Sequence, residues 1–225
     1  MRITFYGHAS FGIEIEGKHI IIDPFITGNP FAKHIDINSI KADYILLTHA
    51  HQDHVLDVEV LAKNTAATIV SNFEIVNYYL EKGFKGHHLN HGGTLKTNFF
   101  SAKYVNAIHT SSFVDGTYGG QPGGFVILSK DKSIYIAGDT AITMDMKFIP
   151  MQTTLNVAIL PIGDTFTMGV NDAILASNLV DCDRIIGCHF NTFPPIEIDT
   201  SYAKNQFKNA NKELILLEIG EKITI

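Results

Sequence analysis

Four metal-ligand-type side chains, those of His49, His51, Asp53 and His54, follow closely on the apolar run Tyr44–Leu47. Such a run predicts a buried strand whose last residues reach a rim where ligands converge. If the extended geometry continues, His49 and His51 point the same way and offer two imidazoles to one cation. Asp53 and His54 are adjacent, which is typical of a turn that has left the strand. One ion is a poor match for all four groups, so we expect a second cation.

Two simpler explanations of this cluster are weaker. The chain has 11 histidines, so some chance pairs are expected, but three histidines and an aspartate in H-x-H-x-D-H order form a much stronger pattern. A structural zinc site is usually closed by cysteine thiolates or by Cys/His mixtures. The two cysteines, Cys182 and Cys188, lie far along the chain from the cluster.

Length and composition favour one domain that acts on small molecules. The 225 residues, 45% of them hydrophobic and 18% charged, can bury a full core. No Pro/Ser-rich linker interrupts them, so we predict a single domain over residues 1–225. The net charge of -6 excludes a strong basic field, and we therefore expect a small-molecule substrate and no nucleic-acid partner.

The start of the chain and its cysteine content predict a cytoplasmic protein. Met1–Thr4 leads directly into a strand-like pattern, without the basic start and apolar core of a signal peptide. No apolar run has the length needed to span a membrane. Two cysteines fit a reducing compartment better than a disulfide framework. We expect no membrane partner, and a homo-oligomer remains open.

Ligand-type residues recur at the ends of four predicted strands, which lead to His49, His109, Asp139 and His189. Strands come first in runs and later alternate with helices, so the predicted class is α/β with mixed sheets. The helices are predicted over 73–80, with Asn72 as N-cap, 171–180 and 202–210; longer strands are predicted over 99–108 and 214–219.

Asp23 ends a further predicted strand, directly before Pro24. A carboxylate at this place either forms a turn or orients a metal-bound imidazole, and position alone leaves both alternatives open.

Two other sets of possible ligands are discounted. His87, His88 and His91 lie in a Gly/Asn-rich stretch without a carboxylate or cysteine, and we interpret them as solvated loop residues. Cys188 and His189 face opposite ways along one strand, so the cysteine is predicted to pack in the core.

With these motifs in order, the chain resembles the metallo-β-lactamase superfamily over nearly its whole length. The five motifs are Asp23, His49-x-His51-x-Asp53-His54, His109, Asp139 in Ala-Gly-Asp-Thr, and His189. The stretches 7–11 and 189–194 look like those of uncharacterised metal-dependent hydrolases related to L-ascorbate-6-phosphate lactonase and N-acyl-phosphatidylethanolamine phospholipase D. The resemblance implies a four-layer αββα sandwich with a dinuclear site at one edge.

Carried over position by position, the resemblance implies two divalent metal ions and a complete set of ligands. The first ion would be held by His49, His51 and His109, the second by Asp53, His54 and His189, with Asp139 bridging. Imidazole and carboxylate ligands without thiolate suit zinc, and manganese or iron can also be accommodated.

The expected function is hydrolysis of an ester, lactone or phosphoester bond in a small, anionic or strongly polarised substrate. The two ions would acidify a bridging water to hydroxide and polarise the oxygen under attack. Asp53 would orient the nucleophile or accept its proton. His8 either contacts substrate or has a supporting role, and Tyr118 and Asn191 are weaker candidates for the pocket wall.

Other functions of the same ligand set are open to test. A nuclease of the transfer-RNA-processing type shares the ligands but relies on RNA-binding elements that this chain lacks. A flavodiiron-type reductase resembles H-x-E-x-D-H, whereas His51 stands here in place of the glutamate. A metal-binding protein without hydrolase activity would hold metal yet hydrolyse no ester.

The chain departs from one branch of the superfamily just after the histidine cluster. Several hydrolases of the superfamily carry a glycine three positions after the final histidine of the cluster, whereas this chain has Val55–Asp57 there, which separates it from the glyoxalase II branch.

Overall fold

Two seven-stranded sheets face each other in the computed structural model, which describes all residues 1–225. The first sheet has the order β14-β1-β2-β3-β4-β5-β6. Its strands are β1 (Arg2–Gly7), β2 (Ser10–Ile15), β3 (Lys18–Ile22), β4 (Tyr44–Leu46), β5 (Thr68–Asn72), β6 (Gly86–Leu89) and β14 (Lys222–Thr224). The strands from β3 to β6 run parallel, and the hairpins of β1 to β3 are antiparallel.

The second sheet has the order β13-β12-β11-β10-β9-β8-β7. Its strands are β7 (Thr94–Lys96), β8 (Ser101–Asn106), β9 (Gly123–Leu128), β10 (Ser133–Ile136), β11 (Val157–Pro161), β12 (Arg184–Cys188) and β13 (Glu213–Ile215). Because β9 is antiparallel to both β8 and β10, and β10 to β13 are parallel, β8, β10 and β12 end at the same edge of the sheet.

Helices cover the outer face of each sheet. The helices beside the first sheet are α1 (Gln52–Val55), α2 (Val58–Thr65) and α3 (Phe73–Glu81), and those beside the second are α4 (Val170–Leu179) and α5 (Thr200–Asn209). The layers are therefore αββα, which confirms the predicted fold. None of the five helices combines the length and apolar character needed to cross a membrane.

Three apolar clusters hold the layers together, and β3 shows how the sequence supplies them. Ile20 and Ile22 enter the cluster between the two sheets, whereas Ile21 enters the cluster under α2 and α3. Successive side chains of a strand point to opposite faces, so a strand covered on both faces is apolar throughout. A third cluster lies between the second sheet and α4 and α5.

Most predicted elements are present, with differences at their ends. The Asn72 side chain accepts a hydrogen bond from Ile75 N–H and caps α3 as predicted. The strand predicted over 99–108 ends at Asn106. Beyond it, Ile108 N–H donates to the Thr140 hydroxyl and the Ile108 carbonyl accepts from Ala141 N–H, instead of bonding to a neighbouring strand. The strand predicted over 214–219 ends at Ile215, where the pairing with β12 stops.

The loop interpretation of His87 and His88 is wrong in part. Both residues lie in β6, an edge strand that the sequence analysis missed, and pair with Val70 and Ser71 of β5. Their side chains are exposed, as expected of solvated residues. Two consecutive histidines do not have the β-branched pattern by which strands are recognised, so this strand depends on its neighbour.

Candidate metal centre

The predicted ligands converge at one edge of the sandwich, beyond the ends of parallel strands. The extended geometry assumed for His49 and His51 does not continue, because β4 already ends at Leu46 and His51 is the N-cap of α1. Asp53 and His54 lie within α1 rather than in a turn. The two imidazoles still meet, with Nε2 of His49 3.0 Å from Nδ1 of His51.

His49, His51 and His109 form one group of imidazoles. Their potential ligand atoms all lie within 4.8 Å of one another. His109 comes from the second sheet, and its ring centroid is 5.1 Å from that of His49 and 5.0 Å from that of His51. The group therefore joins the edges of both sheets.

Asp53, His54 and His189 form a second group together with His8, and their potential ligand atoms also lie within 4.8 Å of one another. The Oδ2 atom of Asp53 is 3.9 Å from Nε2 of His54 and 3.7 Å from Nε2 of His189. His189 follows β12 and has a left-handed backbone, with φ 55°, which turns its side chain off the strand end.

Asp139 lies between the two groups. Its Oδ2 atom is 3.0 Å from Nε2 of His189, 3.4 Å from that of His54, 3.6 Å from that of His109 and 3.9 Å from that of His49. Gly138 allows Asp139 to take this position. It has φ 64°, and a β-carbon on it would lie only 2.7 Å from Cβ of Thr48, so a larger residue would not fit there.

Several buried polar atoms of the centre have no hydrogen-bond partner, namely Oδ1 of Asp139, Nε2 of His54 and both ring nitrogens of His189. A buried polar group without a partner costs about 1–3 kcal/mol, so such atoms require a further partner. Imidazole nitrogens and carboxylate oxygens are donors that suit divalent transition metals. The residues present therefore fit a metal centre.

Asp23 forms hydrogen bonds both to His54 and to the strand end that precedes the cluster. Its Oδ2 atom is 2.9 Å from Nδ1 of His54, which leaves Nε2 of that ring facing Asp139. The same carboxylate accepts hydrogen bonds from the backbone N–H and the hydroxyl of Thr48. Burial raises the pKa of Asp23, against the effect of these hydrogen bonds.

The two carboxylates of the centre control the charge of its histidines in the metal-free protein. Burial works against the charged form, but Asp139 and Asp53 hold the pKa of His54 well above its ordinary value and raise that of His189 to about 9. His49 has its pKa lowered by burial and by the neighbouring His54. Despite burial, the neighbouring histidines keep the pKa values of Asp53 and Asp139 below the ordinary range. The carboxylates thus attract positive charge into the centre.

His8 lies directly beside Asp53. Its side chain is buried, with Nε2 3.0 Å from Oδ2 of Asp53 and Nδ1 3.0 Å from Oγ1 of Thr192. Its ring also packs against that of His189, tilted by 45° at a centroid distance of 4.1 Å. Of the two predicted alternatives, this geometry favours the supporting role over substrate contact, because both ring nitrogens already have partners within the protein. Burial lowers the pKa of His8 to about 4.

The other two predicted substrate contacts lie in loops. Tyr118 is 62% exposed in a loop attached to the histidine cluster through Ser111, whose hydroxyl accepts from Ala50 N–H and donates to the Gly119 carbonyl. Asn191 has φ 55°, and its Oδ1 accepts a hydrogen bond from Ile198 N–H, so this side chain shapes its own loop.

The sequence analysis missed Asp57 and Thr192. Asp57 is buried, and its Oδ2 accepts hydrogen bonds from Ile26 N–H at 2.6 Å and Thr27 N–H at 2.9 Å. Asp57 lies three residues after His54, where several hydrolases of the superfamily carry glycine, and this difference was a signal for its role. No sequence pattern distinguishes Thr192. Cys188 packs in the central core and belongs to neither group of ligands, as predicted.

An αββα sandwich with two converging groups of histidine and aspartate defines a metal-dependent enzyme, and comparison with known proteins supports this class. Residues 2–189 match the family model described as beta-lactamase superfamily domain. Proteins described as UPF0173 metal-dependent hydrolases from Christiangramia forsetii and Flavobacterium johnsoniae are 63% and 64% identical to this chain, each over 100% of both chains. The structure of Igni18, a metallo hydrolase from Ignicoccus hospitalis, matches with 34% identity and a TM-score of 0.90, covering 99% of this chain and 97% of that one.

The chain belongs to the beta-lactamase superfamily and, within it, to the UPF0173 metal-dependent hydrolases. It is therefore a metal-dependent hydrolase, as the sequence analysis predicted. None of these three relatives is named as a lactonase or a phospholipase, so the comparison supports the superfamily and the reaction class without that narrower likeness.

Proposed function

We propose that this hydrolase uses two divalent metal ions to cleave an ester, lactone or phosphoester bond of a small, anionic substrate. One ion is assigned to the group of imidazoles and the other to the mixed group, with a shared carboxylate: His49, His51 and His109; Asp53, His54 and His189; and Asp139. The observation that carries this proposal is the position of Asp139 Oδ2, which lies 3.0 to 3.9 Å from nitrogens of both groups.

Zinc is the proposed metal. The donor set consists of imidazole and carboxylate without thiolate, a combination common in catalytic zinc sites. Manganese and iron accept the same donors, so the metal content of the native protein decides among the three.

Asp53 is the proposed catalytic carboxylate. Bound divalent ions acidify water and polarise a carbonyl or phosphoryl oxygen. The Oδ2 atom of Asp53 faces His8 and His189, and its side chain is 30% exposed, so Oδ1 can reach solvent. We assign to Asp53 the orientation of the attacking water or the acceptance of its proton, while His8 holds the carboxylate in place.

The charge of the centre favours an anionic substrate. Asp53 and Asp139 are the two carboxylates of the proposed ligand set, and two divalent ions exceed their combined negative charge. An anion, or an oxygen that gains negative charge during the reaction, is therefore stabilised there.

The experiment is elemental analysis of the native protein, followed by a panel of lactones, phosphodiesters and phosphomonoesters. We expect two metal ions per chain, hydrolysis of at least one class, and loss of turnover when a chelator removes the metal. One ion per chain would contradict the dinuclear assignment. RNA cleavage with salt-sensitive binding, and no turnover of the small esters, would instead support the nuclease alternative.

A further inference from the structure

Thr192, His8 and Asp53 form a chain of three side chains joined by two hydrogen bonds. Nδ1 of His8 is 3.0 Å from Oγ1 of Thr192, and Nε2 of the same ring is 3.0 Å from Oδ2 of Asp53. Thr192 is none of the seven proposed metal ligands, yet it is connected through one imidazole to the carboxylate proposed to be catalytic.

The loop after β12 brings Thr192 to this place. His189 and Asn191 both have left-handed backbone, with φ 55°, so the chain turns sharply after the strand. The Asn191 N–H donates to the Ile196 carbonyl at 2.8 Å, and the His189 N–H donates to the His8 carbonyl at 2.8 Å. The same loop therefore contacts both the backbone and the ring of His8.

The direction of the two hydrogen bonds follows from what each group can donate. A carboxylate that binds metal is ionised and only accepts, so the hydrogen between His8 and Asp53 must lie on Nε2. A neutral imidazole with its proton on Nε2 has a bare Nδ1, which only accepts. The Thr192 hydroxyl must then donate to Nδ1.

The opposite arrangement is weaker on two grounds. It would direct the Thr192 hydroxyl to the Phe190 carbonyl, which is 3.4 Å away, whereas Nδ1 of His8 is at 3.0 Å. It would also place a proton on Nδ1, so the ring would be either charged or bare at the nitrogen that faces Asp53. Burial lowers the pKa of His8 to about 4, which disfavours the charged ring, and two acceptors in contact repel each other.

Thr192 is the single hydrogen-bond partner of Nδ1, and solvent does not replace it. The His8 side chain is 0% exposed. Its other neighbours include Phe25 and Phe193, whose rings pack against it at centroid distances of 5.5 and 5.4 Å and offer no hydrogen-bonding group.

We propose that Thr192 is a positioning residue for the hydrolytic reaction, because its hydroxyl holds His8 in the tautomer that directs Nε2–H at Oδ2 of Asp53. The inference rests on the role proposed above for Asp53. With Oδ2 held in this way, Oδ1 is left to orient the attacking water.

The test is ¹⁵N nuclear magnetic resonance of the protein labelled in its histidine rings, recorded at pH 7.5 with zinc bound and again after a chelator has removed it. Protonated and bare ring nitrogens have well-separated ¹⁵N shifts. We expect a protonated Nε2 and a bare Nδ1 for His8 in both samples. The signals of His8 are identified by their absence in His8→Asn, because asparagine tolerates the left-handed backbone at this position.

Variants then test the hydroxyl itself. Thr192→Val keeps the branched shape but cannot donate, so the His8 signals should lose the pattern of the wild type, and zinc should bind about three- to tenfold more weakly because Asp53 is held less firmly. Thr192→Ser keeps the hydroxyl and should retain both properties. Thr154→Val is the matched control, since Thr154 is exposed and its side chain forms no hydrogen bond.

Three outcomes would overturn the proposal. They are a wild-type His8 protonated on Nδ1, an unchanged tautomer in Thr192→Val, or zinc binding in Thr192→Val as tight as in Thr154→Val. The first needs no variant, so it decides even if Thr192→Val does not fold. A wild-type protein that binds no zinc would instead count against the metal centre, and the spectra without metal would still show the tautomer.

Discussion

Three non-glycine residues at the metal centre, His8, Asp23 and His189, have a left-handed backbone, with φ 56°, 43° and 55°. This conformation costs an L-residue about 1–2 kcal/mol. In return it turns each side chain off the end of a strand and into the centre. The His189 N–H donates a hydrogen bond to the His8 carbonyl at 2.8 Å, which helps to hold two of these conformations in place. Strained backbone of this kind clusters at functional sites.

The shared position of Asp139 leads to the first prediction. Asp139→Ala removes the oxygen that lies between both groups of ligands, so we expect loss of one or both metal ions and of metal-dependent turnover. Elemental analysis and the hydrolysis assay measure this, and circular dichroism monitors the fold.

His87→Ala is the control for Asp139→Ala, since His87 is an exposed histidine outside both groups. It should keep full metal content and activity. An active, fully metal-loaded Asp139→Ala variant would refute the shared-carboxylate assignment.

Asp23→Asn should weaken metal binding about 10- to 100-fold without removing a proposed ligand. The carboxylate that accepts from Nδ1 of His54 becomes an amide that presents either a weaker acceptor or a clashing donor. Competition with a chromophoric chelator measures the affinity. Asp183→Asn, at a side chain that is 77% exposed, should leave it unchanged. If both variants bind metal equally well, Asp23 does not orient the ligand.

Metal binding near pH 7.5 should release about one to two protons per chain, because metal-bound imidazoles must be neutral. In the metal-free protein the pKa of His189 is raised to about 9 and that of His54 is also raised, so both rings carry a proton at this pH. Protons therefore compete with metal, and the metal affinity should increase as pH rises from 7 towards 9. Calorimetry in Pipes and in Hepes, which differ in ionisation enthalpy, counts the protons. Metal binding without proton release would contradict this charge assignment.

At the level of elements, the short helix α1 and the loop after β3 are joined by Asp57. This residue immediately precedes α2, and its carboxylate accepts two backbone N–H groups from the loop that follows Asp23. The connection keeps Asp23 and His54 on adjoining segments, so a residue outside the metal groups helps to position them.

Asp57→Ala should lower the free energy of unfolding of the metal-free protein by about 2–4 kcal/mol, because the buried Ile26 N–H and the partly buried Thr27 N–H lose their acceptor. Urea denaturation followed by circular dichroism measures the change. Asp36 provides a comparison, since it also accepts a backbone hydrogen bond, from Asn38 N–H, but at an exposed turn. Asp36→Ala should cost less than about 1 kcal/mol. Equal losses of unfolding free energy in the two variants would show that burial does not increase the contribution of the Asp57 hydrogen bonds to stability.

At the level of the whole molecule, the central apolar cluster takes side chains from both sheets, including Phe11 and Ile20 from the first and Phe125 and Ile159 from the second. The metal groups likewise combine residues from both sheets. Neither sheet can bury its inner face alone, which supports our proposal that residues 1–225 form one domain.

We therefore expect one cooperative unfolding transition for the metal-free protein. The chain has 8 tyrosines and no tryptophan, so tyrosine fluorescence can report tertiary packing while far-ultraviolet circular dichroism reports secondary structure. The two curves should coincide. Two separated transitions would mean that the sheets unfold independently and that the single-domain proposal is wrong.

The predicted architecture was largely correct because its signals are local. The apolar stretches that lead to His49 and His189 form strands β4 (Tyr44–Leu46) and β12 (Arg184–Cys188) where they were expected, and Asn72 caps α3. The edge strand β6 escaped prediction because its histidines carry no strand pattern, and its hydrogen bonds come from β5.

By itself, the sequence determined the α/β class and the ligand-type residues at the strand ends, because both are visible in the order of residues. The αββα arrangement and the full set of seven ligands followed from its resemblance to the metallo-β-lactamase superfamily. The sequence did not determine how those residues meet. Histidines 49 and 51 approach each other without strand geometry, His8 turns out to lie beside Asp53, and Asp57 and Thr192 act through partners distant in sequence. Such contacts depend on left-handed backbone and on the closure of one sheet over the other, which are properties of the folded chain and not of any local segment.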